Sequence, residues 1–397
     1  MKEKIQRLVS KYLPDAIKHR RYIHQNPELG FQEYNTTKYI KEVLEGYGFK
    51  DLKYAVQKSQ TGIYFDIDSN KPGKTVMFRA DIDALSLTEL ADVDYKSRNP
   101  GVAHMCGHDG HTASLLGVAA ILNEMKDDFK GKVRILFQPA EEGPDPGGAY
   151  EIMQEGKVLE GVDNAFGFHT YGAGDFGKIY FKKGDFYSSF IDFKLTIKSV
   201  GGHCSEPHKC ADPVFIASKL VVDFQSLISR LKNPNKGAVL AVGTLHSGSS
   251  ENVIPVSAEM SGSIRVFDIE FGRKIVESIK ELVRSTCSIY GAEYDWYFYE
   301  GYPPLNNDKA LTEFVMEETK KLIGSNNVIE LENAKYGVED FSYYAQKVPS
   351  CYFQVGIHKE NEPEPFHHSA TFKWDDSVLA ISMGVSVNML IKYLNSN

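Results

Sequence analysis

The spacing of apolar residues changes several times along the chain and predicts the order of its elements. Before residue 50 the spacing is helical, and between residues 39 and 48 apolar side chains recur every three or four positions. The β-rich runs TGIYFDI and KTVMFRA follow. A second helical pattern covers residues 110–129, and KVRILFQP and NAFGFHT are further predicted strands. Strands that alternate with helices predict an α/β fold with a mixed, largely parallel sheet and helices on both faces.

A different pattern begins near residue 185. In SFIDFKLTIKSV, apolar and polar residues alternate strictly, which is typical of an antiparallel strand with one face in water. Helical patterns at 212–231 and 269–290, together with three more strands, complete the order β-α-β-β-α-β of a ferredoxin-like unit. The sequence therefore predicts an α/β domain formed by residues 1–184 and 300–397, interrupted by a ferredoxin-like α+β domain at residues 185–299.

Composition and charge narrow the function classes. The 397 residues include 45 Lys+Arg and 53 Asp+Glu, and the formal net charge of −8 argues against a dedicated nucleic-acid-binding protein. Five cysteines are too few for a disulfide framework. The N-terminal segment lacks an apolar run of signal-peptide length, and no uninterrupted apolar stretch approaches a membrane span. We expect a cytoplasmic protein without nucleic-acid or membrane partners.

The densest cluster of functional side chains is HMCGHDGHT, which precedes the second helical pattern. It contains His104, Cys106, His108, Asp109 and His111. Imidazole, thiol and carboxylate groups suit zinc-like divalent metals. The second Cys/His pair of a structural zinc finger does not occur, so on its own this segment fits a polar loop that caps a helix equally well.

The ends of other predicted strands supply partners for this cluster. These strand-end residues are Asp81 and Asp83 after KTVMFRA, Glu141 and Glu142 after KVRILFQP, His169 in NAFGFHT, and His367 and His368 after CYFQVGI. Because ligands gather outside the carboxyl ends of strands in open α/β sheets, we expect these side chains to meet at one edge. The coincidence at several strand ends favours a metal site over a structural loop.

The neighbouring glutamates predict a hydrolase. A carboxylate that binds a metal is a poor base, whereas its neighbour can accept a proton from a metal-activated water whose pKa falls from about 15.7 toward 7. Asp83 would orient an imidazole ligand from behind. In the inserted domain, His203, Asn252 and Arg265 suit recognition of a substrate carboxylate and its oxyanion. Each of these three residues alone favours a structural role.

Seven motifs follow one another in a specific order: RADIDAL, CGHDGHTA, FQPAEEG, GGHCSEPH, NVIP, GVEDFSYY and FHHSA. Over residues 24–379 the chain resembles the metal-dependent amidohydrolase and metallopeptidase family of hippurate hydrolase, indoleacetyl-amino-acid hydrolase and N-acetyldiaminopimelate deacetylase, and more distantly carboxypeptidase G and aminoacylase. The resemblance implies two divalent metal ions per subunit, for which Zn, Mn, Co and Ni all suit the ligand types. It also implies that the inserted domain is a lid that mediates a homodimer or homotetramer.

The resemblance assigns the metal ligands. They would be Cys106, His108, Glu142, His169 and His367, with Cys106 between the two metals. Many relatives have a proline shortly after the last histidine ligand, but this chain has His367-His368-Ser369-Ala370. His368 therefore remains an alternative to His367.

The resemblance also assigns catalytic and substrate-binding roles. Glu141 would act as general base and then as general acid, and Asp83 would lie behind the metal site. His203, either from the same subunit or from a partner subunit, would stabilise the oxyanion. Asn252 and Arg265 would hold the substrate carboxylate. The predicted function is hydrolysis of N-acyl amino acids or related small amides. Alternatives are a dipeptidase or carboxypeptidase on the same scaffold, and a catalytically silent metal-binding homologue.

Overall fold

The computed structural model describes residues 1–396, which form two compact units. The large unit comprises Met1–Phe186, Asn306–Asn333 and residues 340–396, and the small unit comprises Tyr187–Leu305 and Ala334–Glu339. The insertion predicted at residues 185–299 omits the segment Ala334–Glu339. This segment joins the small unit because Tyr187 pairs with Lys335, and the Ser188 N–H donates to the Lys335 carbonyl.

Nine helices and sixteen strands make up the described chain. The helices are α1 (Lys2–Gln25), α2 (Tyr34–Gly46), α3 (His108–Glu124), α4 (Gly148–Glu155), α5 (Pro213–Leu231), α6 (Ile269–Tyr290), α7 (Lys309–Ile323), α8 (Ser342–Ala345) and α9 (Leu379–Asn395). The strands are β1 (Lys53–Val56), β2 (Thr61–Asp68), β3 (Thr75–Asp81), β4 (Lys132–Gln138), β5 (Asn164–Asp175), β6 (Ile179–Phe181), β7 (Gly184–Tyr187), β8 (Ser189–Lys198), β9 (Gly202–His203), β10 (Ala238–Ser247), β11 (Val253–Ile254), β12 (Ser257–Val266), β13 (Glu293–Glu300), β14 (Leu305–Asn307), β15 (Val328–Glu330) and β16 (Ser350–His358). Short 3₁₀ turns occur at Lys126–Asp128, Pro207–Lys209, Ser325–Asn327 and Asp376–Val378.

The large unit is built on an eight-stranded mixed sheet with the order β1-β2-β4-β3-β5-β16-β6-β15. The central strands β4, β3, β5 and β16 are parallel to one another, whereas β1, β2 and β6 run antiparallel to neighbours. Side chains of β16 show that both faces are covered, because Cys351 belongs to the same apolar core as Val315 of α7 while Tyr352 packs on Phe341 beside α8. The predicted mixed α/β fold is confirmed.

Helix α3 is the central helix of the large unit. Every residue from His108 to Leu122 is buried, and α1 and α9 pack against this helix. Each large apolar side chain buried in such a core stabilises the fold by about 1.5–3 kcal/mol. The first turn of α3, which carries the predicted metal ligands, is therefore held in place along the whole length of the helix.

One stretch, Asp376–Asn395, is long and apolar enough to cross a membrane by length and composition. It includes α9, and 72% of its most apolar window is buried within the protein. Packing in the core of the large unit accounts for this composition.

The small unit has the strand and helix order β-α-β-β-α-β. Its antiparallel sheet has the order β10-β12-β8-β13, and the buried side chains of α5 and α6 pack with the apolar side chains of these strands. In β8, Ile191, Phe193, Leu195 and Ile197 are buried and the residues between them are mostly exposed, as their alternation predicts. The helices therefore cover one face of this sheet.

Candidate metal centre

The predicted ligands of the large unit lie at the carboxyl edge of its sheet. Asp81 ends β3 and pairs with Gln138 of β4, and the register of β3 against β5 brings Asp81 level with His169. The sequence suggests that His169 lies at the end of its strand. In the structure β5 continues to Asp175, so His169 lies within the strand. The reason is that β16 continues to pair with β5 beyond this level.

A glycine turn brings Cys106 and His108 to the same edge. Gly107 has φ of 92°, and a Cβ atom there would lie only 2.5 Å from Thr170 Oγ1. Both conditions require glycine. Helix α3 then begins at His108, two residues before the predicted start, so His108 projects from its first turn.

Two groups of possible ligands share one atom. The ligand atoms of Cys106, His108 and His169 all lie within 4.8 Å of one another, and Cys106 Sγ is 3.4 Å from His169 Nε2. Cys106, Glu142 and His368 form a second group within the same limit. Cys106 is therefore the residue that the two groups have in common.

The turn at residues 366–370 separates the two candidate histidines. His368 has φ of 63°, and its Nε2 atom lies 2.9 Å from Glu142 Oε1. His367 contacts other residues. Its Nε2 atom lies 3.0 Å from Thr170 Oγ1, and its ring packs against His169. Within residues 1–396, only His368 of this pair belongs to a group of possible ligands. The geometry therefore favours His368, the alternative, over His367.

Asp83 and Glu141 flank the two groups. Asp83 Oδ1 lies 3.1 Å from His108 Nδ1, and Oδ2 accepts the Glu142 main-chain N–H at 2.8 Å. This contact fixes the His108 ring so that Nε2 faces the cluster. Glu141 is buried, and its Oε2 atom lies 3.9 Å from His108 Nε2. Glu141 thus lies next to a ligand group without belonging to either group that contains Cys106.

Burial and charge set the protonation of these side chains in the metal-free protein. Burial alone would lower the pKa of His108, but Asp81 and Asp83 outweigh it and raise this pKa to about 10. Burial and the neighbouring His111 lower the pKa of His169 well below its ordinary value, so His169 is neutral. Burial and the charge of Glu142 raise the pKa of the Cys106 thiol well above its usual range. Positive charge beside Cys106 is therefore required to make it a thiolate.

A buried polar atom without a hydrogen bond shows that the donor set fits divalent cations. Within the described chain, His108 Nε2 is buried and lacks a hydrogen-bond partner. Orphaned buried polar atoms are costly unless another group satisfies them. His108 belongs to a ligand group, and imidazole, thiolate and carboxylate are ligands of Zn²⁺ and similar ions.

The structure places the other predicted residues in the small unit and separates them. His203 pairs with Val253, and the Cys204 N–H donates to the Asn252 carbonyl, so His203 and Asn252 lie together beyond the Ser257 end of β12. Arg265 lies near the opposite end of the same strand. The eight residue-to-residue steps from Ser257 to Arg265 span about 26 Å at roughly 3.3 Å per residue. One chain therefore does not bring Asn252 and Arg265 to the same carboxylate.

Sequence reasoning missed a buried network beneath the cluster. His24 is 3% exposed; its Nδ1 atom lies 3.0 Å from Asp109 and its Nε2 atom 3.1 Å from Glu89. Arg20 Nε donates to the same Asp109 oxygen at 3.0 Å. His24 is buried because α1 packs against α3, and His19 on the same helix is buried beside Tyr39 and Tyr47. The spacing of Arg20 and His24 on one helical face, beside apolar Ile23, is a signal that could have identified them.

Sequence reasoning also missed a contact between β3 and α3 that supports the cluster. Asp81 Oδ1 lies 2.6 Å from His111 Nδ1, and His111 Nε2 accepts the Thr170 main-chain N–H at 2.9 Å. His111 must therefore be neutral, with its proton on Nδ1. This contact fixes the backbone next to His169, so His111 supports the cluster although it lies in neither group that contains Cys106.

An α/β sheet whose carboxyl edge brings together two ligand groups that share Cys106 and the buried carboxylate of Glu141 is typical of a metal-dependent hydrolase of amide or peptide bonds. The chain belongs to Peptidase family M20/M25/M40, whose model matches residues 77–390.

Similar proteins agree in fold and family. The chain is 38% identical to Thermostable carboxypeptidase 2 of Saccharolobus solfataricus, over 99% of both chains. It is also 38% identical to the N-acyl-L-amino acid amidohydrolase of Geobacillus stearothermophilus, over 77% of this chain and 81% of the relative. The crystal structure of the Bacillus subtilis YXEP protein, a dinuclear metal-binding peptidase of the M20 family, matches with a TM-score of 0.83 at 29% identity, over 98% of this chain and 100% of that one. The family predicted from the motifs is confirmed.

The His24 network predicts a pH-dependent contribution to stability. Burial would lower the pKa of His24, but Asp109 and Glu89 raise it to about 9. Because the folded pKa exceeds the unfolded value of about 6.5, the stabilisation is complete below pH 6.5 and is lost as pH rises through 9. His24→Gln should therefore lower the free energy of unfolding at pH 6 by an amount on the order of 3 kcal/mol, and by much less at pH 10.

Urea denaturation of the metal-free protein at both pH values measures this effect. His358→Gln, at a partly exposed histidine outside the network, is the control and should show no such trend. A loss of stability in His24→Gln that is equal at pH 6 and pH 10 would contradict the prediction.

Proposed function

We propose that this chain hydrolyses the amide bond of N-acyl amino acids or related small amides with two bound divalent cations, Zn²⁺, Mn²⁺, Co²⁺ or Ni²⁺. The observation that carries the proposal is the position of Glu141, a buried carboxylate next to two ligand groups that share Cys106. The relative named N-acyl-L-amino acid amidohydrolase supports this substrate class.

The proposed ligands follow the two groups. Cys106, His108 and His169 would hold one cation, and Cys106, Glu142 and His368 would hold the other. When bound, such cations lower the pKa of a water molecule and polarise the amide carbonyl.

The chain's own residues would supply the proton transfers. Glu141 would accept a proton from the attacking water and then deliver it to the departing amine. Its neighbour Glu142 would be occupied as a ligand, so the two adjacent carboxylates have separate tasks. Asp83 would keep the His108 ring and the Glu142 backbone in place through its two oxygens.

The small unit would complete the site as a lid in a homodimer or homotetramer. His203 of one subunit would donate a hydrogen bond to the oxyanion formed in the other, and Asn252 would accompany it. Arg265 would come from a different subunit than Asn252. The separation of about 26 Å between the two ends of β12 supports this division, because one substrate cannot reach both ends in a single chain.

A carboxypeptidase or dipeptidase is the second candidate. It is favoured by 38% identity to Thermostable carboxypeptidase 2 over nearly the full chain. Metal-reconstituted protein assayed against parallel panels of N-acyl amino acids and dipeptides distinguishes the two. Faster turnover of dipeptides would overturn the preference for acyl substrates, and no turnover of either class would leave a silent metal-binding homologue.

Substitution of the adjacent glutamates should have different effects. Glu141→Gln should retain bound metal but lower kcat by roughly 10²- to 10⁴-fold, because the proton acceptor is lost. Glu142→Gln should lose metal as well as activity. Metal content by mass spectrometry and kcat on an N-acyl amino acid measure both effects. Undiminished turnover in Glu141→Gln would reject its proposed role.

The two adjacent histidines offer a matched pair. His368→Ala should reduce bound metal from two ions per chain toward one, because His368 approaches Glu142 and Cys106. His367→Ala should retain both ions, since His367 contacts Thr170. Metal content of the two purified variants decides between them, and loss of metal in His367→Ala alone would restore the original assignment.

Mixing two inactive variants tests the contribution from a partner subunit. Glu141→Gln and His203→Ala should each have low activity. If His203 acts across the interface, mixed dimers contain one intact site, and random exchange should restore about a quarter of wild-type activity. Mixtures that remain as inactive as the separate variants would show that His203 acts within its own chain.

A further inference from the structure

The loop that carries both site glutamates is held by a residue outside the proposed machinery. Residues 139–143 leave β4 and present Glu141 and Glu142. Asp83 accepts the Glu142 N–H at 2.8 Å, and Glu33 Oε1 accepts the Ala140 N–H, also at 2.8 Å. Glu33 comes from the start of α2, far away in sequence, and is fully buried. Each main-chain N–H therefore has its own buried carboxyl acceptor.

The segment that carries Glu33 lies directly against this loop. A Cβ atom on Gly30 would lie 1.8 Å from the Gly143 carbonyl oxygen and 3.0 Å from Ala140 Cβ. On another side, a Cβ atom on Gly148 would lie 1.8 Å from the Pro139 carbonyl oxygen. Ala140 itself has φ of 54°, a conformation that is unfavourable for alanine and requires support from its surroundings. The hydrogen bond that Ala140 N–H donates to Glu33 Oε1 provides such support at that residue.

The surroundings of the Glu33 carboxyl group indicate whether it is charged. Within residues 1–396, Glu33 Oε2 is buried without a hydrogen-bond partner. Burial and the nearby charge of Asp83 raise the pKa of Glu33 well above its ordinary value, which favours the neutral group. A glutamine can therefore replace Glu33 with the same shape, charge and acceptor atom.

We propose that Glu33 is a positioning residue that holds the Ala140 backbone and thereby aims Glu141 at the substrate. The consequence for catalysis rests on the proposed function, whereas the consequence for the loop does not. A shift of about 1 Å in a catalytic group can reduce the rate by roughly 10²-fold, so one main-chain contact next to Glu141 is sufficient to affect kcat.

Three variants isolate this contact. Glu33→Leu removes the acceptor, and Glu33→Gln retains it. Thr37→Val is the matched control, because Thr37 lies on the same helix, is buried, and its Oγ1 accepts the Gly62 N–H from β2 at 2.9 Å. It therefore removes an equivalent bond between α2 and the sheet. Gly62 lies against Pro139 at the start of the loop and has no close approach to residues 140–143, so the comparison is made at residues 140–143. Glu33→Ala, which leaves room for water, serves if Glu33→Leu does not fold.

Two readouts are measured on each full-length variant together with its melting temperature. Hydrogen exchange of peptides covering residues 137–147 reports the order of the loop in metal-free protein. Steady-state kinetics on an N-acyl amino acid report kcat and KM separately in metal-loaded protein.

Glu33→Leu should increase exchange at residues 140–143 and lower kcat by about tenfold or more, with KM within about threefold of wild type. Glu33→Gln should resemble wild type in both readouts. Thr37→Val should lower the melting temperature without changing either one.

Two results would overturn the proposal. One is a Glu33→Leu variant that loses only thermal stability, as Thr37→Val does, and the other is a Glu33→Gln variant as impaired as Glu33→Leu. If wild-type protein turns over no amide at all, the proposed function fails, but exchange at residues 140–143 still decides whether Glu33 holds the loop.

Discussion

Charge compensation at the carboxyl edge of the large sheet determines the geometry of the whole site. Asp83 is almost completely buried and uses its two oxygens on different segments, one for the His108 ring and one for the Glu142 backbone. A buried carboxylate without donors costs several kcal/mol. Helix α3 and the glutamate loop therefore cannot take up separate positions without exposing or stranding this charge. This requirement sets the distance between the two ligand groups.

The same principle extends to the layer beneath. Arg79 donates to both Asp81 and Asp340, and Asp340 also accepts the Ala149 N–H at the start of α4. Asp81 in turn bonds His111. Ion pairs and charged hydrogen bonds that are completely shielded from water thus join β3 to the start of α4 and to the carboxyl edge of the sheet. Such networks are rigid when every member is satisfied, which suits a site whose atoms must be placed to within fractions of an ångström.

Local patterns in the sequence predict most of the fold and the composition of the site. Helices α5 and α6 begin and end within one residue of the predicted ranges, because helical spacing and the caps at Asp212 and Asp268 are local signals. The choice of His368 over His367 depends on a left-handed residue in a turn, and the burial of His24 depends on how α1 packs on α3. The separation of Asn252 from Arg265 depends on strand register. The turn conformation and the strand register cannot be read from the residue pattern, whereas the burial of His24 has a partial signal in its helical spacing with Arg20 and Ile23.

The absence of side chains at Gly30 and Gly148 has a consequence for the history of such proteins. Both backbones touch the loop that carries the two glutamates, and neither position can accept even one additional carbon without moving it. Substitutions at Gly30 and Gly148 therefore cannot shift Glu141 and Glu142 in small steps. New substrate preferences must therefore arise in segments that do not touch this loop.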